Sequence, residues 1–336
     1  MSFSQGPSGA HLPVSPPAGN PWIIAVVVTI ATFMEVLDVT IVNVALPHIG
    51  GSLSAGQEES TWVLTSYLVS NAIVLPISGW LATVFGRKRF YLVCVALFTA
   101  SSLMCGLAPT LTSLIFFRVL QGLGGGGLQP TQQAILVDTF PKAKLGMAFA
   151  VVGIATVCAP VIGPTLGGWI NDNFSWRWIF FINVPVGFVS FTLTSLVLRA
   201  PRAPRWREAI AGRRVDWPGL ALVAIGIGAL QIVLDKGQRE DWFESNFIVI
   251  LSIISAASLI TAVWWELRHS HPVVDLRLFR DRNFAVATLM MFIVGFTLIS
   301  TTVLLPLLLQ TLMGYTATWA GLVLSPGGLA VMALMP

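Results

Sequence analysis

The sequence predicts an all-α membrane protein, a polytopic helical bundle, on three observations. Hydrophobic residues make up 55% of the chain and charged residues only 10%, where soluble domains carry roughly 25% charged. Mean hydropathy is +0.80. The apolar residues gather into runs close to the ~20 residues that a helix needs to cross about 30 Å of hydrocarbon. A chain in lipid has to satisfy its backbone hydrogen bonds within each segment, and the alternating pattern of a barrel strand is absent, so the runs read as helices. An ordinary soluble enzyme is excluded.

Residues 1–21 carry no charge and contain Pro7, Pro13, Pro16, Pro17 and Pro21, the composition of a disordered tail. Without a basic n-region the tail is no signal peptide. Ten spans follow, over 22–47, 61–85, 90–109, 111–137, 145–170, 178–198, 217–234, 247–265, 284–309 and 319–336. Loops at 199–216 and 268–283 separate the sixth from the seventh and the eighth from the ninth. Pro336 falls only 18 residues into the last run, with no basic flank beyond it, so the sequence is expected to stop within a span.

Orientation follows from Lys and Arg. Of the 19 such residues, one set of gaps holds Arg87, Lys88, Arg89, Lys142, Lys144, six arginines between Arg199 and Arg214, Arg268, Arg277, Arg280 and Arg282. The opposite side has Arg177, Lys236 and Arg239, and Arg118 lies inside a span. The rich side is expected to be cytoplasmic, and with it the N-terminus. The basic residues are dispersed rather than patched, so nucleic acid is not an expected partner despite the net charge of +4. The Arg-rich loop reads as an anchor to anionic lipid. Trp22, Trp176, Trp178, Trp217, Trp242, Trp264, Trp265 and Trp319 sit at span ends, as an aromatic belt requires.

Cys94, Cys105 and Cys158 fall inside apolar runs and form no disulfide or metal framework. His269 and His271 flank Ser270 but lack acidic or thiol partners at ligand spacing, and read as solvated interface residues. No nucleophile and base set, HExxH or phosphate loop is present. No catalytic residue, metal or cofactor is expected.

Charge inside the spans carries most of the functional signal. Glu35 and Asp38 lie mid-way along the first span and Arg118 a third of the way along the fourth, each at a cost of about 2.5–3.5 kcal/mol on insertion scales. The spacing of Glu35 and Asp38 puts both carboxyls on one helix face, followed one turn on by Val42 and Asn43. The residues alone leave three readings of Asp38 open: an ion pair with Arg118 that only joins two helices, a carboxylate that loads and unloads a proton, or a site for a cationic substrate. The second has a physical basis. Burial favours the neutral acid, a nearby Arg favours the carboxylate, and movement between the two environments changes protonation. Glu35 serves equally as cation contact or second titrating group.

The fourth span continues through Gln121, Gly122 and Gly124 to Gly127. By letters this satisfies G-x-G-x-x-G, but no strand precedes it and no helix opens there, so a nucleotide site is rejected. The glycines instead allow a neighbouring helix to approach or this one to bend. In the fifth span Ala155, Ala159, Gly163 and Gly167 recur every four residues, with Pro160 and Pro164 among them. That is a face for tight helix contact, and although plain packing would explain a single such pair, four small positions with two prolines that should bend the helix favour a mobile or gating one.

Taken together, these motifs resemble the major facilitator superfamily, and within it the fourteen-span drug:proton antiporter branch of the EmrB/QacA type. Leu37, Asp38, Thr40, Ile41, Val42, Asn43, Val44, Ala45, Leu46 and Pro47 look like that branch's first-span motif. Gly79, Leu81, Gly86, Arg87, Lys88 and Arg89 are similar to the loop motif between spans two and three, and Arg118, Gln121, Gly122 and Gly124 to the fourth-span motif. Ala159, Gly163, Pro164, Gly167 and Gly168 resemble the fifth-span antiporter motif that separates exporters from importers. The loop motif departs from the family at Thr83 and Val84, where an acidic and then a basic residue are usual, a change in the latch that holds the outward-facing state.

The resemblance implies a major facilitator fold with its first half complete and its second partial. A six-helix bundle would occupy 22–198, two extra linker helices 217–267, and the start of the C-terminal bundle 284–336. The implied activity is export of apolar or cationic drug-like compounds from the inner, cytoplasmic membrane of a bacterium, driven by the proton gradient. Asp38 would load the proton, Arg118 tune or relay it, and the fifth-span glycines serve a moving interface. A periplasmic adaptor and an outer-membrane channel are implied partners where the host has two membranes. Because substrate cavities of this fold lie between the two halves, the 336 residues alone are expected not to transport. A solute importer of the same fold, or a non-transporting truncated membrane protein, stays open as an alternative.

Overall fold

The computed structural model describes residues 20–198, 216–269 and 272–315, with Val323. The tail ahead of Asn20, the Arg-rich stretch 199–215, His271 and the expected tenth span, Val323 apart, lie outside the described residues.

Helix α1 (Pro21–Ser52) opens where the Asn20 side chain accepts the Trp22 amide at 3.0 Å and Pro21 occupies the first turn, a position where the missing N–H costs nothing. It continues through Pro47, past the expected end. A short α2 (Gln57–Ser60) precedes α3 (Trp62–Phe85), and α4 (Arg87–Leu107) follows after Gly86 alone. That one-residue joint needs φ of +83° at Gly86, a conformation that disfavours any side chain.

The fourth span is two helices rather than one. α5 (Leu111–Gly125), capped by Thr110 and Ser113, gives way at Gly126 and Gly127 to α6 (Leu128–Thr139). α7 (Leu145–Asn173) runs unbroken through both prolines. The sixth span divides into α8 (Trp178–Phe181) and α9 (Asn183–Val197), because Pro185 has no N–H to extend the ladder back across Ile182. α10 (Trp217–Lys236) starts on an Asp216 cap and α11 (Asn246–Arg268) returns beside it. α12 (Arg282–Thr311) is capped by Asp281. Eight stretches of the described residues are long and apolar enough to cross a membrane, α5 with α6 and α8 with α9 each counting as one.

Packing centres on α1, which lies along α7 and touches α9 and α6. α5 is held between α3 and α4, and α9 lies on α4. α10 and α11 pack together, and α10 lies on α3. Two apolar clusters fill the bundle. One contains Ile24, Met34, Tyr91 and Phe98, the other Leu37, Ile41, Leu114 and Phe180. Along α1 they meet between Met34 and Leu37, and Glu35 and Asp38 occupy that junction. α12 touches α7 and leaves Leu289, Met290, Met291, Phe292 and Phe296 exposed.

Candidate functional site

Four helices bring their polar side chains to the middle of α1. Asp38 is 1% exposed and Arg118, from α5, fully buried. Arg118 Nη1 donates to Asp38 Oδ2 at 2.6 Å and to Gln121 Oε1 at 2.7 Å, and its Nε donates to the Val63 carbonyl of α3 at 3.0 Å. The guanidinium carbon stands 4.2 Å from the centre of the Tyr67 ring and 5.8 Å from that of Phe180. Nη2 finds no hydrogen-bond partner among the described residues. The other Asp38 oxygen accepts Asn183 Nδ2 of α9 at 2.7 Å and Gln121 Nε2 at 3.1 Å. Asn183 also donates to Ser102 Oγ at 3.0 Å, which ties α4 into the same network. Such a pair gains its attraction only if the remaining lone pairs and protons are satisfied, and the amides of Gln121 and Asn183 do that for Asp38.

One turn earlier, Glu35 is 5% exposed and surrounded by neutral donors. Gln129 Nε2 reaches Oε2 at 2.8 Å, while Tyr67 Oη and Asn71 Nδ2 reach Oε1 at 3.0 and 3.1 Å. The two carboxylates therefore occupy different environments, one facing a cation and the other facing amides and a phenol. Two carboxyls with environments this unlike are suited to separate tasks.

The glycines are where helices close on one another. A Cβ on Gly124 would stand 2.7 Å from Phe98 N and 2.9 Å from the Cys94 carbonyl of α4, and one on Gly122 would collide with Ser70 and Tyr67 of α3. α5 can therefore sink between α3 and α4 far enough for Arg118 to reach α1. Gly163 and Gly167 of α7 lie against Thr40 and Ile41, so the fifth-span glycines meet the first-span motif. Thr40 itself bonds back to the Leu37 carbonyl at 2.8 Å. Ala159 is buried nearby, Pro164 is half-buried, and Gly168 has open space around it. Of the two residues one turn on from Asp38, Val42 is buried and Asn43 exposed, and Pro47 is exposed as well. At the other end of the spans, Arg87 pairs with Asp138 and donates to the Ala134 carbonyl at 3.2 Å. Lys88 Nζ donates to the carbonyls of Ser195 and Leu198 at the end of α9. Gly79, Thr83 and Arg89 are exposed.

Sequence reasoning missed Asn183, Tyr67, Asn71, Gln129 and Asp138. It also placed Lys236 among the loop charges. Lys236 is 2% exposed, its Nζ donates to Thr61 Oγ1 at 2.6 Å and lies 4.7 Å from the Trp62 ring, and neighbouring Asp235 accepts from Thr65. These contacts fasten the end of α10 to the start of α3. A search for amides and phenols inside apolar runs would have found the Glu35 donors. No group of three or more metal-ligating side chains occurs among the described residues, and His269 stacks on Trp265 with ring centres 5.5 Å apart.

The fold is that of a multi-pass helical membrane protein with an ion pair buried inside its helices. The chain belongs to the Major Facilitator Superfamily, whose family model matches residues 28–336. It is 46% identical over 314 residues to the multidrug export protein EmrB of Haemophilus influenzae, covering 94% of this chain and 61% of that one. It is 44% identical over 308 residues to the fatty acid resistance protein FarB of Neisseria gonorrhoeae, covering 91% of this chain and 60% of that one. The chain thus spans about three fifths of the length of these curated relatives. Among solved structures it resembles a peptide transporter, POT, in complex with sulfate (TM-score 0.59, 16% identity, 95% of this chain and 70% of that one). It also resembles the proton:xylose symporter XylE (TM-score 0.57, 15% identity, 94% of this chain and 67% of that one). At such identities the likeness is one of fold.

Proposed function

We propose that the protein acts in proton-coupled export of apolar or cationic toxic compounds. The observation that carries this is the Asp38–Arg118 pair at 2.6 Å, fully enclosed by protein in the middle of a membrane helix. The likeness to multidrug export proteins supports the same reading. A structural staple between helices is better served by apolar packing, since a buried ion pair is often no more stable than its hydrophobic replacement. Retaining one at this depth favours a use for the charge. Asp38 takes up the proton, and Arg118 holds the deprotonated state until it does. Glu35, with neutral donors only, contacts a cationic substrate or titrates second. The energy source is the proton gradient and no cofactor is required.

The same proposal places the protein in the cytoplasmic membrane with its N-terminus inside, divides it into a first bundle, a linker pair and the start of a second bundle, and gives it a periplasmic adaptor and an outer-membrane channel in a host with two membranes. The test is efflux of ethidium, with concurrent proton movement, in everted membrane vesicles carrying the native gene product. Asp38→Asn is expected to abolish the coupled fluxes while the protein remains in the membrane. Full proton-driven efflux by the variant removes Asp38 from the mechanism. Uptake in the opposite sense, with substrate moving alongside the proton, makes the protein an importer.

A further inference from the structure

Glu35 and Asp38 share a helix face, yet no hydrogen bond joins their carboxylates among the described residues. The connection runs instead through α5 and α3. Arg118 pairs with Asp38 and lays its guanidinium on the face of Tyr67 at 4.2 Å, and the Tyr67 hydroxyl donates to Glu35 at 3.0 Å. Asn71 Nδ2 bonds both Glu35 at 3.1 Å and the Tyr67 oxygen at 3.3 Å, so the phenol, the amide and the carboxylate form one set of bonds. Gly125 completes the seat: a Cβ there would stand 2.6 Å from the Tyr67 oxygen. The ring is buried and packs edge-on to Phe98.

Resting on the proton-coupling reading above, we propose that Tyr67 is the positioning residue through which the charge state of Asp38 is felt at Glu35. When Asp38 is ionised, Arg118 divides its contacts between the carboxylate, Gln121, Val63, the nearer Tyr67 face and the more distant Phe180 ring. A proton on Asp38 removes the ion pair and leaves the cation to its remaining partners, of which the Tyr67 ring is the nearer of the two aromatic faces. Arg118 then settles more fully on the ring, because a desolvated guanidinium gains more from an aromatic face than an exposed one does. The tilt of the ring moves its hydroxyl relative to Glu35, which loses one of its three neutral donors and becomes freer to take a cation. By linkage the influence is mutual: a cation or proton at Glu35 alters the proton affinity of Asp38 by the same factor. The charged and titratable groups facing the two carboxylates are Arg118, Tyr67 and Cys105, together with each other. α6 and α9 contribute the neutral amides of Gln129 and Asn183.

The test follows carboxyl protonation against pH by infrared difference spectroscopy on the 336-residue chain in lipid nanodiscs, with bands assigned by Asp38→Asn and Glu35→Gln. Glu35→Gln is expected to shift the Asp38 midpoint in the otherwise native chain. Adding Tyr67→Phe, which keeps the ring under Arg118 and removes only the hydroxyl, is expected to shrink that shift by about threefold or more, as a double-mutant cycle measures it. Arg118→Lys, which keeps the charge without the flat guanidinium, should uncouple the two sites in the same way and serves if the Tyr67 variant fails to fold. A residue with a merely structural role would lower the yield of folded protein and leave the shift unchanged. An undiminished shift with Asp38 still titrating overturns the role of Tyr67 alone. An Asp38 that does not titrate between about pH 4 and 10 overturns the proton-coupling reading, and this one with it.

Discussion

Gly124 offers the sharpest test of how the bundle is held together. The three atoms that a Cβ there would meet, Phe98 N at 2.7 Å, the Cys94 carbonyl at 2.9 Å and Phe98 Cα at 3.1 Å, all belong to the backbone of α4. No side-chain rotation relieves the clash, so α4 and α5 have to separate by about 0.7 Å to restore ordinary contact, with overpacking of this kind costing ~1–3 kcal/mol. Alanine returns about 0.8–1 kcal/mol through its better helix propensity. The backbone nature of the clash places the cost at the upper end, and the net effect of Gly124→Ala is a loss of about 1–2 kcal/mol. Gly168 is the control. It belongs to the fifth-span motif but has nothing within 4 Å of its Cβ position, so Gly168→Ala should gain up to about 1 kcal/mol. The assay is reversible unfolding of the chain in bicelles by titration with SDS, read by tryptophan fluorescence. Midpoints that move in opposite directions are expected. Equal shifts, or a stabilised Gly124→Ala, would show that α5 does not lie as close to α4 as described.

Two further outcomes are expected. Lys236→Met removes the bond to Thr61 Oγ1 and the contact with the Trp62 ring. It should lower the free energy of unfolding by about 1.5–3 kcal/mol, the range for hydrogen bonds to charged groups, and Lys236→Arg should recover part of it. A variant as stable as the native chain would mean that α10 is held on α3 by its apolar face alone. A reporter active only outside the cytoplasm, fused after Arg205, should be silent, and activity there would invert the topology drawn from the Lys and Arg bias.

The sequence made the ion pair visible and hid its surroundings, for a physical reason. Asp38, Glu35 and Arg118 stand out because a charge in an apolar run is expensive and has to be met by something. Tyr67, Asn71, Gln129 and Asn183 cost far less in a helix, so their presence carries little signal. Which of them meet Glu35 or Asp38 depends on helix rotation, which four separate segments decide together. Helix ends show the same limit. Pro47 lies near the end of α1 and is absorbed, whereas Pro185 sits in the first turn of α9 and separates it from α8. The glycines after Arg118 were open to two readings, close approach or bending, and close approach is what the neighbours show: Gly122 and Gly124 admit α3 and α4, and Gly126 and Gly127, where α5 gives way to α6, lie as close to Asn71 and Cys94.

The network around α1 also fixes an order of events during synthesis. Arg118 is 80 residues behind Asp38 and Asn183 is 145 behind. At about 5–20 residues per second, Asp38 is made roughly 4–16 s before its counter-ion exists. Glu35 waits less, since Tyr67 and Asn71 follow it by only 32 and 36 residues. Until those partners emerge, the first helix bears about 2.5–3.5 kcal/mol for each charged carboxylate it holds in lipid. The network around Asp38 can close only after the fourth and sixth spans have followed.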